Sequence, residues 1–281
     1  MTVILLSLAT AVAFGTGDFF GGIATRRAMV IQVVAGSHLV GLLGVTVGSL
    51  ALADSFRWED FVLGAIGGAF GGLGVAFLYR RLAVGPMQVV APLTAITSAV
   101  VPVAWGAIIG ERLSTLVWTG IALGLVAIAL VSWGKSPDQA DQAVTVRVVG
   151  ESLLAGCGFG AFFILLDATE SSSAPWPVVG ARVVTSAVLI VALLMRREPI
   201  FPPNRTIVAL ILATGLFDTA ANVGFLLATL RGELAVVAVL TSLYPIATAA
   251  LAAAVLGERM TNVQAVGFAG ALGATTLIAA G

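Results

Sequence analysis

The sequence predicts an all-α polytopic membrane protein of ten transmembrane helices, built as two inverted five-helix repeats. Three observations carry that prediction. Of the 281 residues, 59% are hydrophobic and 10% charged, against about a quarter charged in a soluble domain, so a water-facing surface for so long a chain cannot be assembled. Apolar runs of roughly 20 residues, the length that crosses a ~30 Å hydrocarbon core, recur ten times. The tripeptide Gly-Glu-Arg closes two of them, in IIGERLSTLVW from Ile108 and in VLGERMTNVQA from Val255.

The runs must be helices, because an open strand would leave unpaired amides in oil, and barrel strands alternate and are far shorter. The first, over 2–22, has neither a basic flank nor a small-residue cleavage site, and reads as a span, not a removable signal. The second (32–53) follows the polar TRRAMVI, and the third (61–79) follows DSFRWED and carries the glycine run GAIGGAFGGLG. The fourth (87–109) contains Pro92 and Pro102, and the fifth (115–133) leads into GKSPDQADQAVTVR, a solvated linker by its Pro137 and turn formers. Spans six to ten follow at 150–168, 177–195, 206–228, 234–256 and 262–280, with Pro245 in the ninth. Prolines remove a backbone donor and bend or break such helices. No extramembrane segment is large enough for a soluble catalytic domain.

The second half slides onto the first. GELAVVAVLTSLYPIA from Gly232 lies over GPMQVVAPLTAITSAV from Gly85, VVGARV from Val178 over VVAGSH from Val33, and SLLAGCGFG from Ser152 over SLATAVAFG from Ser7. The expected units are residues 1–134, a polar linker over 135–148, and residues 149–281. Five spans per copy force the second copy to enter from the opposite face, the inverted-repeat plan of alternating-access transporters. Arg26, Arg27, Arg80, Arg81, Lys135, Arg147, Arg196, Arg197, Arg205 and Arg259 fall on one face, but only Arg57, Arg112 and Arg231 on the other. The positive-inside rule then puts both termini outside. The expected residence is the plasma (inner) membrane, as a multi-pass monomer or homodimer.

Composition excludes several classes. With 14 basic and 14 acidic residues the chain has no net charge, and nothing points to nucleic acid as a partner. Cys157 and His38 are the sole cysteine and histidine, so no internal disulfide and no zinc or His-rich metal site is expected. No cofactor is expected either.

The ten spans, the duplicated Gly-Glu-Arg after the fourth and ninth, and YRRLAVGPMQVVAPLTA from Tyr79 resemble the drug/metabolite transporter superfamily, in its EamA-type branch, over essentially the whole chain. The resemblance implies a secondary transporter of small metabolites, often an exporter of amino acids or related compounds. It also implies a central cavity formed by the first, third, fourth, sixth, eighth and ninth helices. Two features depart from the family pattern. Its members are commonly drawn with both termini cytoplasmic, against the arginine distribution here. The family also tends to carry an arginine early in the second span of each repeat; Arg182 matches it in the second copy, whereas Ser37 stands there in the first.

Polar side chains inside the spans are the candidate site. A carboxylate at mid-bilayer costs about 2.5–3.5 kcal/mol on insertion scales, so its retention asks for a reason. Asp18 lies in the first span and Asp218 in the eighth, with Thr214 and Asn222 one turn either side of Asp218 on the same face. That stripe either borders the cavity or makes helix–helix hydrogen bonds. If one carboxylate takes up and releases a proton, Asp18 and Asp218 are the natural candidates, Asp218 slightly ahead. Thr94, Ser98 and Thr241 either line the cavity or bond back to their own helix carbonyls, and Tyr244 offers a solute a ring and a hydroxyl or simply packs. Arg182 either snorkels to the headgroups or pairs with a carboxylate elsewhere in the bundle. Glu111 and Glu258, each preceded by a glycine and followed by an arginine, anchor turns at the water boundary. His38 is expected to be packed or hydrogen-bonded. The glycines of the third span allow close helix approach.

These readings converge on alternating-access export of a small organic solute, with protons as a possible coupling partner and lipid as surroundings. An uncoupled facilitator or uptake permease of the same fold is the alternative. An intramembrane enzyme on lipid-linked substrates would need a constellation of acids and histidines that the chain does not carry.

Overall fold

The computed structural model describes residues 1–84, 87–132, 145–257 and 260–281. Most of the linker, together with Gly85–Pro86 and the Glu258–Arg259 pair, lies outside the described residues. Every element long enough to matter is helical, and no strand occurs among the described residues. Helices α1 (Thr2–Thr25), α2 (Val30–Leu52), α3 (Trp58–Val84), α4 (Met87–Ile109) and α5 (Thr115–Ser132) make the first half. Helices α6 (Val146–Asp167), α7 (Trp176–Arg196), α8 (Arg205–Thr229), α9 (Leu234–Thr241), α10 (Tyr244–Leu256) and α11 (Asn262–Ala280) make the second. Ten stretches are long and apolar enough to cross a membrane, α9 and α10 together counting as one.

Local chemistry sets the boundaries. Asn204 caps α8 by accepting from the N–H groups of Thr206 (2.9 Å) and Ile207 (3.3 Å), and Thr145 caps α6 through Val148 N–H (3.3 Å). Thr261 and Gln264 form a reciprocal capping box at the start of α11. The glycines of the two Gly-Glu-Arg motifs end their helices in the left-handed region, Gly110 at φ +89° and Gly257 at φ +69°, where a side chain would be strained. The prolines behave unequally. Pro245 sits at the second position of α10, just past the break at Ser242–Leu243, whereas Pro92 and Pro102 lie inside a continuous α4. The ninth span is thus two helices and its counterpart one.

The packing has an exchange pattern. Helix α1 packs on α8 and α6 on α3; α2 packs on α8 and α7 on α3; α4 packs on α6, and the α9–α10 pair on α1. Each contact becomes its companion when every span is replaced by the one five places along. The contacts of α2 with α7, α4 with α9, and α5 with α11 map onto themselves. Close approach at α3–α7 depends on missing side chains. A Cβ on Gly64 would strike the Pro177 carbonyl, one on Gly180 the Phe61 carbonyl, and one on Gly68 would lie 2.5 Å from the Ala181 Cα. Backbone therefore meets backbone along this seam, as small residues permit in lipid.

Candidate functional site

Helix α7 carries Arg182 two residues beyond Gly180, on the stretch where α7 meets α3 and α2. The guanidinium is 7% exposed and donates from Nη2 to Oδ2 of Asp218 on α8, whose side chain is 30% exposed. Such charge-assisted pairing is the arrangement that lets an arginine stay inside a bundle. Of the two readings the sequence left open for Arg182, the structure has the ion pair. Asn222, one turn along and buried, donates its Nδ2 to the Asp218 backbone carbonyl at 2.7 Å, so its amide is held to its own helix.

A second polar contact lies beside the first. His38 Nδ1 on α2 is 2.9 Å from Thr185 Oγ1 on α7, and the Thr185 hydroxyl is 3.0 Å from the Ala181 carbonyl. His38, Arg182, Thr185, Asp218 and Asn222 together form one wall of a cavity of about 130 Å³. The rest of the lining is aromatic and small, with Phe14 from α1, Phe159, Phe162 and Phe163 from α6, and Gly68 and Gly71 from α3. The phenylalanines pack on one another, Phe163 stacking on Phe225 at 4.3 Å and lying edge-on to Phe14 at 6.4 Å. A solute here meets charge and hydrogen-bonding groups together with aromatic rings, the usual composition of a small-molecule pocket.

Asp18 is placed differently. It is exposed in the bundle and interacts electrostatically with Asp218, since Gly17 brings α1 against α8; a Cβ there would be 3.2 Å from Asp218 N. It makes no hydrogen bond or ion pair among the described residues. Tyr244 opens α10 nearby, half-buried, with its ring 6.2 Å from Phe14. Thr214 shares the Asp218 face but bonds back to the Leu210 carbonyl (2.9 Å) and rests its methyl against Gly21 of α1, away from the cavity wall.

The hydroxyls of the fourth and ninth spans also lie away from this cavity. Thr94 donates to the Ser152 carbonyl of α6 at 3.2 Å, tying two helices, and Ser98 returns to the Ala95 carbonyl at 2.8 Å. Thr241 is buried at the end of α9, and its Oγ1 has no hydrogen-bond partner among the described residues. The aromatic wall was missed in the sequence, although FGAFF places Phe159, Phe162 and Phe163 at helical spacing on one face. Thr185, one turn after Arg182, was missed as well. Among the described residues no group of three or more His, Cys, Asp or Glu is placed to hold a metal ion.

The loops on the face that carries the chain ends are tied across the bundle. Asp60 accepts from Ser173 Oγ (2.6 Å) and from Glu170 N–H (3.4 Å), Arg57 pairs with Glu170, and Ser55 N–H reaches the Ser172 carbonyl (2.9 Å). Trp58 stacks on Phe61 at 5.5 Å, and Phe56 meets Trp176 edge-on at 5.1 Å. The second tie belongs to Glu111 of the first Gly-Glu-Arg. Its carboxylate accepts from Leu234 N–H (2.7 Å) and Ala235 N–H (3.2 Å), the first two residues of α9. Those amides are the orphan donors at the positive end of a helix dipole. Burial pushes the Glu111 carboxyl above its ordinary range, with Glu233 acting in the same direction and the two amide bonds opposing it.

Residues 150–280 match the model of the EamA-like transporter family. No curated protein matches the chain. A solved structure titled "Crystal structure of protein" matches with a TM-score of 0.80 at 18% identity, covering 98% of this chain and 96% of that one. That likeness is one of fold.

Proposed function

We propose that this multi-pass membrane protein, whose residues 150–280 match the EamA-like transporter family, is a secondary transporter exporting small organic solutes, amino acids or related zwitterions, against proton entry. The observation that carries this reading is the Arg182–Asp218 ion pair on the wall of an aromatic-lined cavity inside the bundle. A fully structural pair would be sealed; this one borders empty space. A solute carboxylate competes with Asp218 for the guanidinium, to which two parallel N–H···O bonds can form. Its apolar part lies against Phe14, Phe159 and Phe162. Its ammonium group goes to the carboxylates, where Asp18 has no partner of its own among the described residues. Asp18 therefore takes the exchange role, holding either a proton or the cationic group, and Asp218 sets the position of the arginine.

Alternating access requires two conformations of similar energy, and inverted copies supply them. The exchange pattern of helix contacts supports that reading, as does the odd number of spans in each half. The glycine seam between α3 and α7 supplies a surface along which backbones can slide. The Asp60 and Glu111 ties act as the closed gate of this conformer, on the face that the arginine distribution assigns to the outside.

The test is flux in vesicles reconstituted with the purified chain, using a panel of amino acids and related zwitterions with and without an imposed proton gradient. The proposal expects gradient-dependent movement of at least one solute, lost in Asp218→Asn. Flux indifferent to the gradient would instead make the protein a facilitator. A chain that moves no zwitterion, or an Asp218→Asn variant with unchanged flux, would overturn the reading.

A further inference from the structure

A second space, of about 930 Å³, opens on the lipid side of the bundle. It is a groove between α2 and α3 with α7 as its floor, and α3 makes it by presenting small residues there, among them Ala69, Gly72 and Ala76. The groove runs from Met29 and Arg196, on the arginine-rich face, to His38 and Thr185 at mid-depth. Along α7, the eleven steps from Thr185 to Arg196 span about 16 Å at 1.5 Å per residue. That is about half of a ~30 Å hydrocarbon core. The groove is thus one leaflet deep.

Its chemistry is graded in the same direction. The lining is apolar and open to lipid, Leu73 on the α3 wall being 56% and Val188 on the α7 floor 63% exposed. At the inner end the two polar groups satisfy each other through the His38–Thr185 hydrogen bond, so an apolar occupant strands no donor there. At the outer end stands Arg196, exposed and without an ion pair among the described residues. A space at hydrocarbon depth lined this way holds no water, since water needs two or more polar partners. One charged group at headgroup level and a leaflet's length of apolar wall match one ligand class.

We propose that this groove is a binding site for one acyl chain of an anionic phospholipid, with the headgroup phosphate on Arg196 and the terminal methyl against His38 and Thr185. Arginine engages phosphate oxygens in paired hydrogen bonds, and basic side chains at this level are drawn to anionic lipid. His38, Gly68, Val75 and Thr185 border both the groove and the central cavity. The bound chain therefore completes the cavity's wall toward α2 and α3, and the transport site is closed by a lipid where the protein leaves a window.

The experiment is photolabelling of the full chain in phosphatidylcholine vesicles containing a trace of phosphatidylglycerol that bears a diazirine near the end of one acyl chain, with adducts mapped by mass spectrometry. A phosphatidylcholine probe of the same chain is the control. The expected result is several-fold more adduct at Leu73 and Val188 than at Leu43 and Val47, which are as exposed (63% and 68%) on α2 outside the groove. The excess is expected with the anionic probe only. Arg196→Gln should reduce groove labelling to the outer-face level, and Ala76→Trp, which fills the groove and leaves Arg196 in place, should remove it. Even labelling inside and outside, equal labelling by both headgroups, or an excess that survives Arg196→Gln would each overturn the proposal. Labelling requires no flux, so a protein that transported nothing tried would still decide it.

Discussion

Replacing Asp218 by asparagine is the sharpest test of the polar centre, because it removes one charge and almost no volume. It leaves the Arg182 guanidinium, 7% exposed, with no carboxylate opposite. Breaking a buried ion pair from one side costs about 3–5 kcal/mol. Asp218 itself is 30% exposed, so water reaches the vacated place and the lower end applies, about 3 kcal/mol. At about 2–4 °C per kcal/mol, the scaling for large soluble domains, the midpoint of thermal unfolding should fall by about 6–12 °C. The assay is thermal unfolding of the purified chain in detergent. Two further variants make the argument directional. Arg182→Met leaves the more exposed partner behind, which can hydrate or take a proton, and should cost less than Asp218→Asn. The pair replaced on both sides, Arg182→Met with Asp218→Leu, should regain stability to within about 1 kcal/mol of the parent while flux stays lost. An Asp218→Asn variant as stable as the parent, or a charge-free double variant that still transports, would refute the assignment of the pair to solute binding.

Asp18→Asn should retain solute binding but uncouple it from the proton gradient, read as flux that no longer responds to an imposed pH difference; a preserved response excludes Asp18 as the proton carrier. Gly68→Leu drives a side chain into the Ala181 backbone, for which overpacking of about 1–3 kcal/mol is expected, and should abolish flux while the chain still reaches the membrane; normal flux would remove the sliding seam from the mechanism. Glu111 has a folded-state acidity shifted upward by burial, so the native chain binds more protons than the unfolded one just above the ordinary carboxylate range, and its contribution to stability falls as pH rises through that window. Glu111→Gln, isosteric with the protonated acid, should match the parent in unfolding midpoint below the window and exceed it above. A parent more stable than the variant at the higher pH would show that the amide bonds to α9 outweigh burial.

The helices were legible because hydrocarbon admits few alternatives. Length and apolarity alone placed all ten spans, and the boundaries differ by a few residues where caps such as Asn204, which sequence hydropathy does not weigh, begin or end a helix. Gly110 and Gly257 were legible for a related reason, since a glycine after a long helical run reads as a left-handed stop. The partner of Arg182 was not, because a single sequence offers Asp18 and Asp218 at comparable depth and only the packing of α7 near α8 selects between them. Nor could sequence tell that Glu111 would reach the amides of α9, which lie more than 120 residues along the chain. The hydroxyls left two readings open, and packing divides them. Ser98 bonds back to the Ala95 carbonyl of its own helix, one of the two readings open in the sequence, whereas Thr94 reaches the Ser152 carbonyl, a partner that only the packing of α4 on α6 supplies.

The helix packing and the polar centre follow different patterns in this molecule. The scaffold obeys the five-span exchange in its helix contacts, yet the polar centre does not. Ser37 stands where the second half has Arg182, and it turns its hydroxyl to the Val34 carbonyl of its own helix at 3.0 Å. The third span is crowded with glycine where the eighth carries Asp218 and Asn222. One half supplies charge and the other supplies room for it. Two-fold charges at one centre would put two guanidinium groups beside a single cavity of about 130 Å³, at a Coulomb cost that a low-dielectric site magnifies. A frame with matching helix contacts and one asymmetric site avoids that repulsion and, under the transport cycle proposed above, keeps what alternating access needs, two related packings of the helices around one place to bind. It follows that grafting an arginine at Ser37 should weaken the protein, not double its site. Ser37→Arg is expected to lower the unfolding midpoint and reduce flux, and a variant with enhanced flux would show that the asymmetry is incidental.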